Sequence, residues 1–348
     1  MTENIIARRT LLGAGALGAS VAALAMSSSK AEAGAPNVTS VKSFGATGNG
    51  STDDTNAIQK AVNWTAAANR GTIFFPMGTY RTTRAITFET PNIHIAFVGE
   101  PGALIAGSFA DALLRRSINS PVSGIHVIEN LRFINGHPAG KGVMLHSCVS
   151  GKIANCQFGI TGTAIETYNS QAVSIDSCSI IGSKVAGIIA GNATTVLNCD
   201  ITGCNDGIRH YNVGLTVHGG RYEMNTIAIK VGYNPSNGGS QSSGFDISGL
   251  SMEANQTAIQ VGAGAAGKIS ACSIGGGIPM AYGLFLYSPQ DVHVAGVTVA
   301  GAHGFSGAGI RILSPTRTVL MGVGSYSPRA WLLPTDLRQL TFIQTNKS

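Results

Sequence analysis

Small and apolar residues return along this chain at a period of roughly 21 to 25 residues, with one interval near 30. One column runs Leu131, Cys156, Cys178, Cys199, Gly220, Leu250, Cys272, Val297. Three positions earlier stand Ile128, Ile153, Ile175, Val196, Val217, Ile247, Ile269, Val294. Two positions later stand Phe133, Phe158, Ile180, Ile201, Tyr222, Met252, Ile274, Val299. A fourth column follows a turn of variable length: Val143, Ile165, Ile188, Ile208, Ile229, Ile259, Leu284, Ile310, nearly always preceded by Gly or Ala. Strand-like patches returning at about 20 residues predict a solenoid of the parallel β-helix kind, with regular rungs over about 123–316.

Ahead of the rungs, Asp53, Asp54 and Thr55 are helix-start residues before Ile58, Ala61, Val62 and Ala66, an apolar face at helical spacing. Gly71 ends that helix and a strand over 72–75 begins the coil. The run FGATGNGSTDDTNAIQ at 44–59 and the run GTIFFPMGTY at 71–80 resemble the N-terminal module of the pectate-lyase superfamily, shared by polygalacturonase-like and rhamnogalacturonase-like enzymes and phage tailspikes. The resemblance implies an all-β solenoid, a right-handed single-stranded parallel β-helix with an N-terminal capping α-helix. It also implies a structural role for the Asp53–Asp54 pair. That agrees with physics, since an open solenoid end exposes unpaired strand groups and apolar core.

Between that module and the regular rungs, strands fall near 93–98 and 104–106. A less regular excursion at 108–120, containing Arg115 and Arg116, reads as a surface loop or short helix. Asn130, Asn155 and Asn198 read as a ladder that satisfies backbone groups from rung to rung. The long interval carries a turn-rich loop at 234–240. Trp331, Leu332, Leu333, Leu337, Leu340 and Phe342 supply apolar material to close the far end.

Composition adds a destination. Arg8-Arg9, a Gly/Ala-rich apolar run at 11–25 and Ala31-Glu32-Ala33 read as a twin-arginine signal peptide over 1–33, leaving 34–348 as the β-helix domain. No other stretch is apolar and long enough to span a bilayer, so the mature protein is expected to be periplasmic or secreted, with no membrane span. Taking Arg8, Arg9 and Lys30 from the 23 basic residues, and Glu3 and Glu32 from the 17 acidic ones, leaves a net charge of about +5. A basic exported protein favours an acidic polysaccharide as partner. No Lys/Arg cluster or nucleic-acid motif points to nucleic acid.

Six cysteines in an oxidising compartment invite a disulfide reading. Four of them share one column, however, and adjacent parallel strands lie about 4.8 Å apart, so they read as small apolar fillers inside the coil. Bridging among Cys156, Cys178 and Cys199 is geometrically possible, while Cys148 and Cys204 fall outside the column.

Alternation places the residues one and three after the fourth column on the outside. The first outward lane reads Met144, Glu166, Ile189, Arg209, Lys230, Gln260, Phe285, Arg311; the second reads His146, Tyr168, Gly191, Tyr211, Gly232, Gly262, Tyr287, Leu313. Glu166, Tyr168, Arg209, Tyr211, Lys230 and nearby Tyr233 suit an acidic sugar chain, because rings stack on sugar faces and cations pair with carboxylates. An ordinary solvated β-face is the competing explanation. A second charged strip holds Arg221 and Glu223.

Asp206 occupies a position similar to that of catalytic aspartates in polygalacturonase-like enzymes. The central rungs nevertheless lack the paired aspartates and G-H-G of those hydrolases, and inverting hydrolysis needs two carboxyl groups about 6.5–9.5 Å apart. Asp206 would need Glu166 or Glu223 as its partner. β-Elimination asks for a base and a group that neutralises the uronate carboxylate. Lys230 or Tyr211 as base and Arg209 as neutraliser fit the lanes. His210 points inward by alternation and becomes a base only if a bend turns it out. No cofactor or metal is implied. The expected function is a polysaccharide lyase; a hydrolase, a C5-epimerase and a non-catalytic polysaccharide-binding protein are the alternatives.

Overall fold

The computed structural model describes residues 37–232, 243–276, 280–301, 305–326, 331–334, 336–343 and 346–347. The segment read as a signal peptide, Tyr233 and the 234–240 loop lie outside the described residues. Among the described residues no helix is long and apolar enough to cross a membrane.

From residue 37 onward the backbone coils as a right-handed parallel β-helix. Among the described residues its strands form a 22-stranded sheet and a 13-stranded sheet, and their pairings are parallel throughout. The columns of the sequence are its ladders. Ile128, Ile153, Ile175, Val196, Val217, Ile247, Ile269 and Val294 are successive register partners in the larger sheet. Val143, Ile165, Ile188, Ile208, Ile229, Ile259, Leu284 and Ile310 form its second ladder. The Phe133 to Val299 column builds the smaller sheet. The side chains of these ladders are buried, and each buried Ile or Leu contributes about 1.5–3 kcal/mol.

Two long strands, Ala112–Glu129 and Lys141–Ala154, run through both ladders of the larger sheet. The excursion expected as a loop or short helix at 108–120 is therefore mostly strand. Arg116 within it is fully buried rather than on the surface, and its Nη1 donates to the carbonyls of His146 (2.8 Å) and Ser147 (3.0 Å). Two carbonyl acceptors let a cation sit where the alternation pattern shows only a polar interruption.

The corner between the first ladder and the smaller sheet explains the recurring asparagines differently from the expected side-chain ladder. Asn130, Asn155 and Asn198 have φ of 58°, 53° and 49°. Asn tolerates this left-handed region better than other residues with a Cβ. Ser177, Gly219, Gly249, Ala271 and Gly296 take the same corner in other rungs, also with positive φ. A side-chain ladder does exist, but inside the coil. Asn225 Nδ2 donates to the Ile201 carbonyl and to Asn255 Oδ1 (both 3.0 Å), its Oδ1 accepts from Cys204 N (2.9 Å), and Asn255 Nδ2 donates to the Tyr222 carbonyl (2.8 Å). Asn225→Leu strands buried partners on both sides. It is expected to lower the unfolding free energy by roughly 2–5 kcal/mol, read as a fall in the urea midpoint. A change below about 0.5 kcal/mol would show that the ladder is dispensable.

The N-terminal helix, Thr55–Ala67, buries Ile58, Ala61 and Val62 against the first rungs. Gln59 mimics a strand: its side-chain amide Nε2 donates to Thr87 O (2.8 Å) and its Oε1 accepts from Thr87 N (2.9 Å). The aspartate pair organises the loop around the helix start. Asp53 Oδ1 accepts from Thr55 N (3.0 Å), whereas Asp54 turns back to accept from Thr47 N (2.7 Å) and Gly48 N (3.0 Å). Asp54 stands at the N-cap position without a side-chain capping bond.

At the far end, Trp331–Leu332 and Leu340–Ile343 continue the two ladders. Trp331, Leu333 and Phe342 pack on the core, while the side chains of Leu332 and Leu337 are exposed. All six cysteines are free and buried.

Candidate functional site

The first outward lane holds its register through the pairings Met144↔Glu166, Glu166↔Ile189, Ile189↔Arg209, Arg209↔Lys230 and Lys230↔Gln260. At about 4.8 Å per rung, Arg209 and Lys230 are neighbours and Glu166 stands two rungs away. The strands Asp206–His210 and Ile227–Val231 carry the cationic part. Each strand follows a corner where small residues are required. A Cβ at Gly207 would lie 2.5 Å from the Ala228 carbonyl oxygen, so the chain enters Ile208 only over a glycine.

Asp206, at the first residue of its strand, is buried and lies among the cations instead of facing outward alone. Its Oδ2 accepts from Arg209 Nε (2.6 Å) and lies 3.9 Å from Lys230 Nζ. A second bond, from Arg209 Nη2 to the Val185 carbonyl (3.2 Å), fixes the guanidinium plane. Burial lowers the Lys230 ammonium below its ordinary value; Asp206 opposes that shift, and the nearby Arg209 charge adds to it.

Two rungs away, Glu166 is the hub of a cluster that the lanes show only in part. His146 Nε2 and Lys141 Nζ each lie 2.7 Å from its carboxylate oxygens. Burial acts to raise the Glu166 carboxyl, but the hydrogen bonds from His146 and Lys141 and their charges outweigh it, holding the group below its ordinary value. Glu166 is thus largely enclosed and already partnered. His146 and Tyr168 meet edge to face at 5.6 Å, and Tyr168 and Tyr211 approach to 6.5 Å across the intervening rung. Burial, then the charge of Glu166, raise the Tyr211 hydroxyl above its ordinary value.

His210 is fully buried, so the bend that would turn it outward is absent and it cannot meet a substrate from this position. Burial lowers its pKa to about 4, against an opposing backbone hydrogen bond with Gly191. Arg221 and Glu223 lie on the other sheet, where exposed Arg221 pairs with Asp200 (2.7 Å) and Glu223 (3.2 Å). They do not join the Arg209 cluster. Tyr233 lies outside the described residues. Lys141 and the pairing of His146 with Glu166 escaped the sequence reading. Lys141 is register partner to Thr163, in the corner lane that also holds Asp206, and variable turns conceal that lane.

A parallel β-solenoid with charged and aromatic side chains along one outer face is the architecture of carbohydrate-active β-helix proteins. The chain belongs to the family described as rhamnogalacturonase A/epimerase, pectate lyase-like, which it matches over residues 38–275. In fold it is similar to the A-module of a mannuronan C-5 epimerase from Azotobacter vinelandii, at a TM-score of 0.63 and 15% identity, covering 88% of this chain and 100% of that one. It is also similar to the catalytic unit of an α-1,3-glucanase from Streptomyces thermodiastaticus (TM-score 0.63, 14% identity, 92% of this chain and 70% of that one). A family 28 exopolygalacturonase from Yersinia enterocolitica matches at a TM-score of 0.58 and 12% identity, over 89% and 78% of the two chains. A curated relative, alginate lyase 7 of Azotobacter vinelandii, is 51% identical over 43 residues, which are 12% of this chain and 5% of that protein.

Proposed function

We propose that this protein is a polysaccharide lyase that cleaves an acidic, uronate-containing polymer by β-elimination. The observation that carries the reading is the clamped Arg209 guanidinium beside Lys230 and Tyr211 on the outer face. Arg209 neutralises the substrate carboxylate, which acidifies the adjacent carbon-bound proton. Lys230, with its depressed pKa, removes that proton, and Tyr211 donates to the departing glycosidic oxygen. Tyr168 and the His146–Glu166 pair hold the neighbouring sugar. The names of the relatives, an alginate lyase and a mannuronan epimerase among them, support a uronate substrate. Arg8-Arg9 and the apolar run after them support twin-arginine export to the periplasm or the medium.

The test is incubation with alginate and polygalacturonate. Ultraviolet-absorbing unsaturated ends support the lyase. Reducing ends without them support hydrolysis, altered uronate configuration without cleavage supports epimerisation, and binding without any product supports a non-catalytic role.

The hydrogen bond between His146 and Glu166 favours a second assignment of the base, because a carboxylate-oriented imidazole is a common acid–base arrangement. With Lys230 as base, kcat/KM rises with pH to an inflection below the ordinary lysine value of 10.5, and Lys230→Ala abolishes turnover. Persistence of that inflection in Lys230→Ala, with loss of turnover in His146→Ala, moves the base to His146.

A further inference from the structure

The outer face continues past Lys230 into an arrangement that the Arg209 cluster does not need. Phe285 follows Gln260 in the lane, and Arg311 follows Phe285. They stand two and three rungs beyond Lys230, about 10 and 14 Å along the axis. Tyr282 and Phe285 stack with ring centres 4.9 Å apart and planes inclined by 29°. The Arg311 guanidinium carbon lies 5.3 Å from the centre of each ring, and Nη1 donates to the Tyr282 hydroxyl. Tyr287, half exposed, approaches Phe285 at 6.5 Å.

Two facts separate this cluster from ordinary packing. The core below it is already supplied by Met280, Leu284 and Leu286, all buried on the opposite face of the same strand. Among the described residues no carboxylate pairs with Arg311; its guanidinium is instead held by the Tyr282 hydroxyl and the faces of the Tyr282 and Phe285 rings. An arginine pinned by aromatic rings holds its planar donors in place for a ligand carboxylate, with little orientational freedom left to lose.

We infer that Tyr282, Phe285, Tyr287 and Arg311 form a remote subsite for a uronate unit of the polymer whose reacting unit lies at Arg209. A sugar ring rests on the exposed faces of Phe285 and Tyr287 while Arg311 takes its carboxylate. Between the two sites the second lane carries only Gly232 and Gly262, so no side chain of that lane stands between them. The inference rests on the proposed substrate class. It adds that long chains bind better than short ones and that the difference resides in these four residues.

The experiment uses the full chain and the variants Phe285→Ala/Tyr287→Ala, Arg311→Ala and Arg209→Ala. Affinity electrophoresis through gels containing alginate or polygalacturonate reads binding independently of turnover. The double variant and Arg311→Ala are expected to lose roughly tenfold in affinity for the polymer. Their kcat/KM on uronate trisaccharides stays unchanged, since a trimer at Arg209 does not reach the platform. Arg311→Lys keeps the charge without the stacked plane and recovers only part of the loss. Thermal midpoints close to that of the parent chain show that the variants remain folded. Unchanged retardation in the platform variants, equal losses on polymer and trimer, or no retardation of the parent chain by either polymer would each overturn the subsite. Retardation that depends on the platform without any turnover would keep the subsite and sink the lyase.

Discussion

Arg209→Ala is expected to reduce kcat/KM on a uronate polymer by two to three orders of magnitude, about the loss seen when one preorganised donor to a developing anion is removed. Elimination builds negative charge on the substrate carboxylate as the proton leaves, and a guanidinium held by both Asp206 and the Val185 carbonyl needs no reorganisation to meet it. The same substitution leaves the buried Asp206 carboxylate with the more distant Lys230, at 3.9 Å, and therefore also destabilises the rung. Arg209→Ala/Asp206→Ala removes both charges and separates the two effects: this double variant should regain stability and stay inactive. Full activity in a folded Arg209→Ala protein would move the chemistry away from this lane.

Acid is expected to weaken the fold well before the carboxylates titrate, because two buried histidines resist protonation. Burial, then the Arg116 charge, lower His126 to about 3, and burial lowers His210 to about 4, against an ordinary value of 6.5. Both rings are essentially inaccessible to solvent. In the unfolded chain these imidazoles take up protons as the pH falls below 6.5, while in the folded chain they stay neutral. Their contribution is therefore fully present above pH 6.5. It is lost as the pH falls through 6.5 toward 4 for His210 and toward 3 for His126, and each is worth on the order of 3 kcal/mol or more. Urea midpoints should fall steadily between pH 6.5 and 5, a window in which ordinary carboxylates remain ionised. His126→Phe, which sets a ring beside Phe88, and His210→Leu should each flatten that slope. A midpoint independent of pH across the window in the parent chain would refute the account.

The ladders were legible in the sequence because residues that face inward on successive rungs occupy equivalent places and must all be small or apolar. Glu166, Arg209 and Lys230 could be placed in one lane by the same count, and the pairings keep them there. The count fails where the strand is irregular. Register shifts around Cys148 hide the seating of Arg116 beneath the carbonyls of His146 and Ser147. Corners of variable length hide Lys141, so the salt bridge that occupies Glu166 is invisible in one dimension. Asn130 and Asn198 were conspicuous for the wrong reason: they recur because a left-handed corner admits them. Asn225 and Asn255, which do bond from rung to rung, are separated by the long interval and look unrelated in sequence.

The stacked thiols bear on how the protein ages. Each of Cys178 and Cys199 sits against the sulfur of the rung before it, and that contact together with burial raises both well above an ordinary thiol. Oxidants and disulfides react with the thiolate, and here almost none forms while the coil is closed. In an oxidising medium the folded chain would thus keep Cys178 and Cys199 reduced. Oxidative damage at these two positions would become a record of unfolding: a modified Cys178 or Cys199 would mark a molecule whose rungs had come apart.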